Sequence, residues 1–340
     1  MTLDFRPFLE RAALGIPLSS EEMQAAMGHL LTGTVDPIQA GAFLMALKVR
    51  GETPEEVAGA ATAMRAAAIG FQGPEDAVDT CGTGGDGANT YNISTATALV
   101  LAACGVPVAK HGNRSVSSAS GSSDVLTALG VAVDGGPEVA QACLEEVGIA
   151  FLFAPNHHPA VRHMVPVRQA LGVRTLFNLL GPLTNPAGAK RQLLGVYDPA
   201  LMMPIAQTLR SLGSVCAWVV HGSDGLDELT VTGDSHVAVL ADGEITERTI
   251  HPSDAKLETH PPEALTGGSP SENALALHKL LDGEPGAYRD AVVLNTAAGL
   301  IVGGRTTDLA IGARMAETVI DSGGAKQLLV NFIAHTNGKS

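Results

Sequence analysis

From residue 1 to about Gly73 the apolar positions recur at helical spacing between turn signals. Ser19-Ser20-Glu21-Glu22 sets a capping hydroxyl ahead of acids and predicts a helix running through Leu31. Asp36-Pro37 and Thr53-Pro54-Glu55-Glu56 repeat the device, a cap followed by Pro and, in the second, first-turn acids. A small all-helical unit is therefore expected, and its Ala-rich run Ala58 to Ala68 suits either closely packed helices or a subunit interface.

After Gly73 the pattern becomes an alternation of short apolar runs, Gly-rich loops and helical stretches. Strands are predicted at Ala77–Thr80, Val106–Ala109, Ile149–Phe153, Leu193–Tyr197 and Val215–Val220, and helices at Ser94–Ala103, Pro137–Val147 and Leu201–Leu212. Such alternation gives an α/β class, a mostly parallel central sheet flanked by helices, with ligands beyond the carboxyl ends of the strands. Val237–Leu240 and Ile245–Ile250 read as a hairpin, and helices follow from Ser271. Pro159 to Pro186 interrupts the alternation with a helical, Pro-punctuated pattern and is expected to return to the N-terminal unit. The division is thus 1–73 helical, with a return segment near 159–186, and 74–340 α/β.

Length is consistent with this, because 340 residues make about two domains at roughly 150 residues each. A formal charge of −14 repels polyphosphate backbones and anionic lipid surfaces, so neither nucleic acid nor membrane is an expected partner. A small phosphorylated ligand stays open, since backbone N–H groups, a few cations or Mg²⁺ reverse the potential over one site. Cys81, Cys104, Cys143 and Cys216 form no C-x-x-C pair, which argues against a zinc knuckle or disulfide framework and for a reduced, cytoplasmic setting. The longest apolar run, Ala96 to Ala109, is broken at Cys104-Gly105 and Pro107 and is shorter than the ~18 residues a membrane span requires. Met1 to Leu14 carries Asp4, Arg6, Glu10 and Arg11 and has no apolar core of signal-peptide type.

Four segments carry candidate chemistry. Asp79-Thr80-Cys81-Gly82-Thr83-Gly84-Gly85-Asp86-Gly87 lets the backbone approach a ligand and present N–H donors to an anion, although a tight turn alone also accounts for it. Its spacing matches neither G-x-x-x-x-G-K-[ST] nor G-x-G-x-x-G. Asn92-Ile93-Ser94-Thr95 either caps the next helix or turns its N-terminus toward that loop. Lys110-His111-Gly112-Asn113-Arg114 and the serines after it are rich in oxyanion donors, with solvated surface charge as the plainer alternative. Asp227-Glu228, after a predicted strand, suits a hard cation or is simply a solvated acidic pair. His111, His157 and His158 pack locally, or, for His111, sit near an aromatic ligand.

Taken in order, these motifs resemble the anthranilate phosphoribosyltransferase family. Pro166-Val167-Arg168, Asn178 through Pro186, His221 through Glu228, and Glu272-Asn273-Ala274 extend the resemblance over nearly the whole chain. Thr127 departs from it, standing on the helix after the serine loop where the family often has an acid. The resemblance implies a helical domain and an α/β domain shared in outline with pyrimidine nucleoside phosphorylases, and a homodimer joined through the helical domains. It implies transfer of a 5-phosphoribosyl group from its 1-diphosphate to anthranilate, in tryptophan biosynthesis. Donor contacts would be Gly82, Gly85, Asp86, Thr90, Asn92, Ile93, Ser94, Thr95, Lys110, His111, Gly112, Asn113, Arg114, Ser115, Val116, Ser117, Ser118 and Ser122. Gly82, Asn113 and Arg168 would meet anthranilate, Lys110 and Arg168 would act in catalysis, and Ser94, Asp227 and Glu228 would hold Mg²⁺. A nucleoside phosphorylase and a nucleic-acid-binding relative without activity are the rival readings; the Arg168 segment and the acidic pair argue against the first, the net charge against the second.

Overall fold

The computed structural model describes residues 4–114 and 119–338. Three early helices start where their caps direct. Ser19 and Glu22 form a reciprocal capping box ahead of Ser20–Thr32, Asp36 accepts from the Ile38 N–H ahead of Pro37–Arg50, and Thr53 pairs with Glu56 ahead of Pro54–Ala66. Glu56 does more than cap: fully buried, its carboxylate also accepts from the Leu18 N–H and pairs with Arg50, tying three segments together. Met23, Met27, Leu30, Phe43, Leu44 and Leu47 fill the space between these helices, where burial of each large side chain contributes about 1.5–3 kcal/mol.

The rest of the chain is built on one seven-stranded sheet. Its strands are β1 (Val78–Gly82), β2 (Val108–Gly112), β3 (Ile149–Phe153), β4 (Arg191–Gly195), β5 (Cys216–Gly222), β6 (Ser235–Ala241) and β7 (Glu244–Ile250), in the order β3-β2-β1-β4-β5-β6-β7. The first five are parallel and the last two antiparallel. Period-two alternation divides the side chains between two cores. Leu193, Trp218, Val220, Val237 and Val239 pack with the buried helices Ile93–Ala103 and Ala287–Val302. Leu194, Ala217, Val219, Ala238 and Leu240 pack with helix Met202–Ser211 and the N-terminal helices.

The segment between β3 and β4 packs on those helices. The helical turn Pro159–Met164 lies on Ser20–Thr32, Val165–Leu171 on Pro37–Arg50, and Phe177–Leu180 on Pro54–Ala66. The chain runs from β1 outward to β2 and β3 and then returns to the other flank of β1 as β4. The order reverses there, which opens a crevice at the carboxyl ends of β1 and β4.

Several boundaries differ from the sequence reading. β2 begins at Val108 and continues through Lys110, His111 and Gly112, which pair with Phe151, Leu152 and Phe153. Lys110 was expected to open a loop; instead β3 pairs its backbone, so a polar residue extends the strand while its side chain finds buried partners. β1 likewise reaches Gly82, and β4 is shifted two residues toward the N-terminus of the predicted run. The β6–β7 hairpin turns on Asp242-Gly243 alone, both at positive φ (52° and 80°) as a two-residue turn of that twist requires.

Candidate active site

Gly82 ends β1 where a Cβ would collide with the Asp227 carboxylate, so glycine lets the two segments approach this closely. The next N–H, of Thr83, donates to the Gly195 carbonyl at 2.9 Å and locks the loop to the end of β4. Gly84 N–H donates to Asp227 Oδ2 at 2.8 Å. The following helix starts at Ile93, one residue earlier than predicted, and its N-cap Asn92 makes no capping bond. Ser94 N–H, an orphan donor of the first turn, therefore reaches Glu228 Oε1 at 3.1 Å. Both acids thus meet backbone donors of two other segments.

The loop bearing these acids is braced from behind. Asp224 accepts from the Thr230 and Thr232 hydroxyls at 2.6 and 2.7 Å. The buried Asn295 amide accepts from Leu229 N–H at 3.1 Å and donates to Leu229 O at 2.8 Å. Burial raises the pKa of Asp227, and the nearby Asp86 charge adds to it; burial and then Asp227 raise that of Glu228.

Lys110 lies 3% exposed at the floor of the crevice and donates to the Thr80 carbonyl. Burial lowers its pKa while Asp79, Cys81, Glu228 and Asp227 oppose that shift. Asp79 accepts from the His111 N–H at 3.0 Å and from Asn185 Nδ2 at 2.8 Å, with burial raising its own carboxyl. Lys110 is therefore a buried cation beneath the acids rather than a loop charge. Three carboxylates and one lysine share the crevice, and among the described residues no three His, Cys, Asp or Glu form a metal-enclosing group. Such a set fits Mg²⁺, a hard cation that completes its shell with phosphate oxygens and water.

Asn92 links the remaining loops. Its Oδ1 accepts from Asn273 Nδ2 at 2.9 Å and from the Ser120 hydroxyl at 3.2 Å, while its Nδ2 donates to Ser120 O at 3.1 Å. Thr90 bridges to Thr266 beside it. Asn113 and Arg114 are exposed, Ser122 donates to Asn113 O at 3.3 Å, and Arg114 lies over Phe153 at 5.9 Å. Ser115, Val116, Ser117 and Ser118 lie outside the described residues. Ile93 is a correction to the sequence reading. Its side chain is 1% exposed in the core and its N–H donates to Tyr91 O at 2.8 Å, which leaves neither for a ligand. Thr95 is 2% exposed on the same helix.

Arg168 stands on the helix Val165–Leu171 with its guanidinium 5.4 Å from the centre of the Phe177 ring, and burial lowers its pKa. Its described contact lies on the helical side and does not join it to Gly82 or Asn113. His111 Nδ1 lies 3.0 Å from Gly181 O, an acceptor only, so that nitrogen carries the proton. Its Nε2 is buried without a partner among the described residues, and burial pushes its pKa down to about 3. The His158 ring, 5.1 Å away, is pushed down to about 4 by burial, with His157 adding to it. His157 Nδ1 donates to Ile69 O at 2.7 Å, a packing role.

Sequence reasoning missed Arg174. This side chain donates to the Gly85 carbonyl in the glycine loop and lies 4.0 Å from the centre of the Tyr197 ring. Arg114, Arg168 and Arg174 take part in none of the ion pairs among the described residues. A second arginine six positions after Arg168, in an acidic chain, was the available signal.

Comparison with known proteins adds the following. A model of the glycosyl transferase family a/b domain matches residues 74–326, and one of the same family's helical bundle domain matches residues 6–68. The chain is 54% identical over 337 residues to anthranilate phosphoribosyltransferase of Parvibaculum lavamentivorans, covering 99% of each. It is 51% identical to that of Rhodopseudomonas palustris strain BisB18, covering 98% of each. The crystal structure of anthranilate phosphoribosyltransferase from Thermus thermophilus superposes with a TM-score of 0.92 at 45% identity, covering 97% of this chain and 99% of that one. The Saccharomyces cerevisiae enzyme in complex with PRPP and Mg gives 0.90 at 28% identity, covering 98% of each.

Proposed function

The chain belongs to the anthranilate phosphoribosyltransferase family, and from that premise we propose that it transfers the 5-phosphoribosyl group of 5-phospho-α-D-ribose 1-diphosphate to the amine of anthranilate, releasing diphosphate, in tryptophan biosynthesis. The observation that carries the reading is the meeting, at one switch crevice, of the glycine loop, the uncapped helix start and the acidic pair. Donor-loop N–H groups suit phosphate oxygens, and Asp227 and Glu228, with Ser94 beside them, would hold Mg²⁺. The chemistry Mg²⁺ supplies when bound is neutralisation of charge on the diphosphate.

In this reading the amine nitrogen bonds to C1 as the C1–O bond breaks, the bonding pair leaves with diphosphate, and the nitrogen then loses its proton. Lys110 and the loop N–H groups stabilise the departing charge. Arg168 orients anthranilate through its carboxylate, and an arylamine, unprotonated at neutral pH, needs positioning more than a strong base. Gly82 and Asn113 flank the acceptor, and the remaining donor contacts among the described residues are Gly85, Asp86, Thr90, Asn92, Thr95, His111, Gly112, Arg114 and Ser122.

The division at residues 73 and 74, with 159–186 counted with the helical unit, rests on the packing of that segment. A homodimer through the helical unit is supported by Ile38 and Val49, 82% and 81% exposed on one helix and eleven positions apart, hence on one face. Among the described residues no helix is long and apolar enough to cross a membrane; a cytoplasmic site is proposed on the four free thiols. The test is loss of anthranilate fluorescence with the donor and Mg²⁺ present. No loss, or equal loss in EDTA, overturns the reading.

A further inference from the structure

We propose that Arg174 is a positioning residue that couples the acceptor segment to the donor loop; the inference rests on the function proposed above. Arg174 follows Arg168 by six residues, three beyond the end of the helix Val165–Leu171, so the return segment carries both arginines. Its guanidinium is fixed at both ends. One face lies against the Tyr197 ring, 4.0 Å from its centre, and one N–H donates to the Gly85 carbonyl. Tyr197 is itself anchored, because its own N–H donates to Thr83 Oγ1 at 3.2 Å. One arginine thus joins the return segment, the end of β4 and the glycine loop.

The consequence for the donor loop follows from peptide geometry. The Gly85 carbonyl and the Asp86 N–H belong to one planar trans unit and point in opposite directions. Holding that carbonyl on Arg174 aims the Asp86 N–H away from the arginine. Gly85 adopts φ +79°, and a Cβ there would collide with the guanidinium, so the loop is shaped around this side chain. Arg174 has no carboxylate partner among the described residues, and its charge stands beside the loop given to an anionic ligand. Lysine matches the charge but does not stack on a ring and donate sideways in a fixed plane.

The experiment is a fluorescence titration of anthranilate into the full-length protein, with and without Mg²⁺ and diphosphate, which together give a complex unable to react. In the wild type, diphosphate is expected to tighten anthranilate about fivefold or more, and by linkage anthranilate tightens diphosphate equally. Arg174→Ala should reduce this shift to within about twofold while leaving the affinity for anthranilate alone within about twofold, because Arg168 is untouched. Arg174→Lys should recover only part of the shift, and Tyr197→Phe all of it. In steady state, Arg174→Ala should raise the KM for the donor more than it lowers kcat, a split that general loss of structure does not give. Should Arg174→Ala unfold, Tyr197→Leu, which removes the platform and keeps the charge, carries the same expectation. A wild type without a shift, or folded Arg174→Ala and Tyr197→Leu proteins that keep it, overturns the inference. A wild type that binds no anthranilate and transfers no phosphoribosyl group overturns the proposed function, and this inference with it.

Discussion

Replacing Asp227 by Asn together with Glu228 by Gln should abolish phosphoribosyl transfer and yet raise the melting temperature in EDTA. Both carboxyls are held above their ordinary values of 3.8 and 4.5 by burial, with like charge from Asp86 and Asp227 adding to it. Between those ordinary values and the raised folded ones, the folded protein binds more protons than the unfolded chain. Stability then falls as pH rises through that window, because the ionised acids are disfavoured in the fold. The amides keep an acceptor oxygen for the Gly84 and Ser94 N–H groups, so the loop contacts survive the exchange. Each tenfold change in acidity corresponds to about 1.4 kcal/mol, and loss of attraction to Lys110 offsets part of the gain. A net gain of roughly 1–3 kcal/mol, or about 1–4 °C, is expected at pH 8. Thermal melts in EDTA at pH 8 and pH 5.5 read it out: the gain should shrink at the lower pH, where the wild-type acids take up protons. Added Mg²⁺ should raise the wild-type melting temperature and leave the variant unmoved. A variant less stable than wild type in EDTA at pH 8, a gain that grows on acidification, or near-normal transfer would refute the reasoning.

Arg168→Ala should raise the KM for anthranilate about ten- to a hundredfold, the loss of a charge-assisted bond of roughly 1.5–3 kcal/mol, with a smaller change for the donor. A larger donor effect in steady-state kinetics removes Arg168 from the acceptor site. Lys110→Met removes the donor to the buried Thr80 carbonyl and the cation nearest the acids, and should cost about 1–3 kcal/mol as well as donor use, so a normal melt and unchanged donor kinetics contradict it. Gly82→Ala drives a Cβ into the Asp227 carboxylate and should lower kcat/KM at least about 100-fold for a shift of the acid of roughly 1 Å; turnover near wild type places that acid elsewhere.

How far the sequence was legible depended on how local the determining interaction is. The helix starts at Ser20, Pro37 and Pro54 were readable because cap and acid lie within three residues of each other. The parallel sheet was readable from its alternation, and the glycine loop, Asn92 and the acidic pair from the family pattern. What escaped were residues whose partners lie far along the chain. Lys110 looked like a loop cation until its strand was paired by β3 and its side chain met the Thr80 carbonyl. Ile93 shared a motif with Ser94, but its side chain turns into the core while the Ser94 N–H reaches Glu228. Arg174 has its contacts at Gly85 and Tyr197, which no local spacing announces.

The same distinction explains how an acidic chain accommodates a polyanionic donor. A net charge of −14 acts over the whole surface and is screened within about 8–10 Å, whereas the crevice is governed by groups held at hydrogen-bond distance. There the sheet's switch point collects the glycine loop, a buried lysine and the guanidinium of Arg174, which has no carboxylate partner among the described residues, each brought by a different segment. The acids are not surplus to this arrangement. They engage the Gly84 and Ser94 N–H groups directly; burial raises their carboxyls first, like charge from Asp86 and Asp227 adds to it, and at Glu228 the one lysine offsets this only in part, so the crevice stays short of positive charge. In the function proposed above, a divalent cation arriving with the diphosphate would supply that missing charge, and metal and donor recognition would then rest on a single electrostatic deficit rather than on two separate sites.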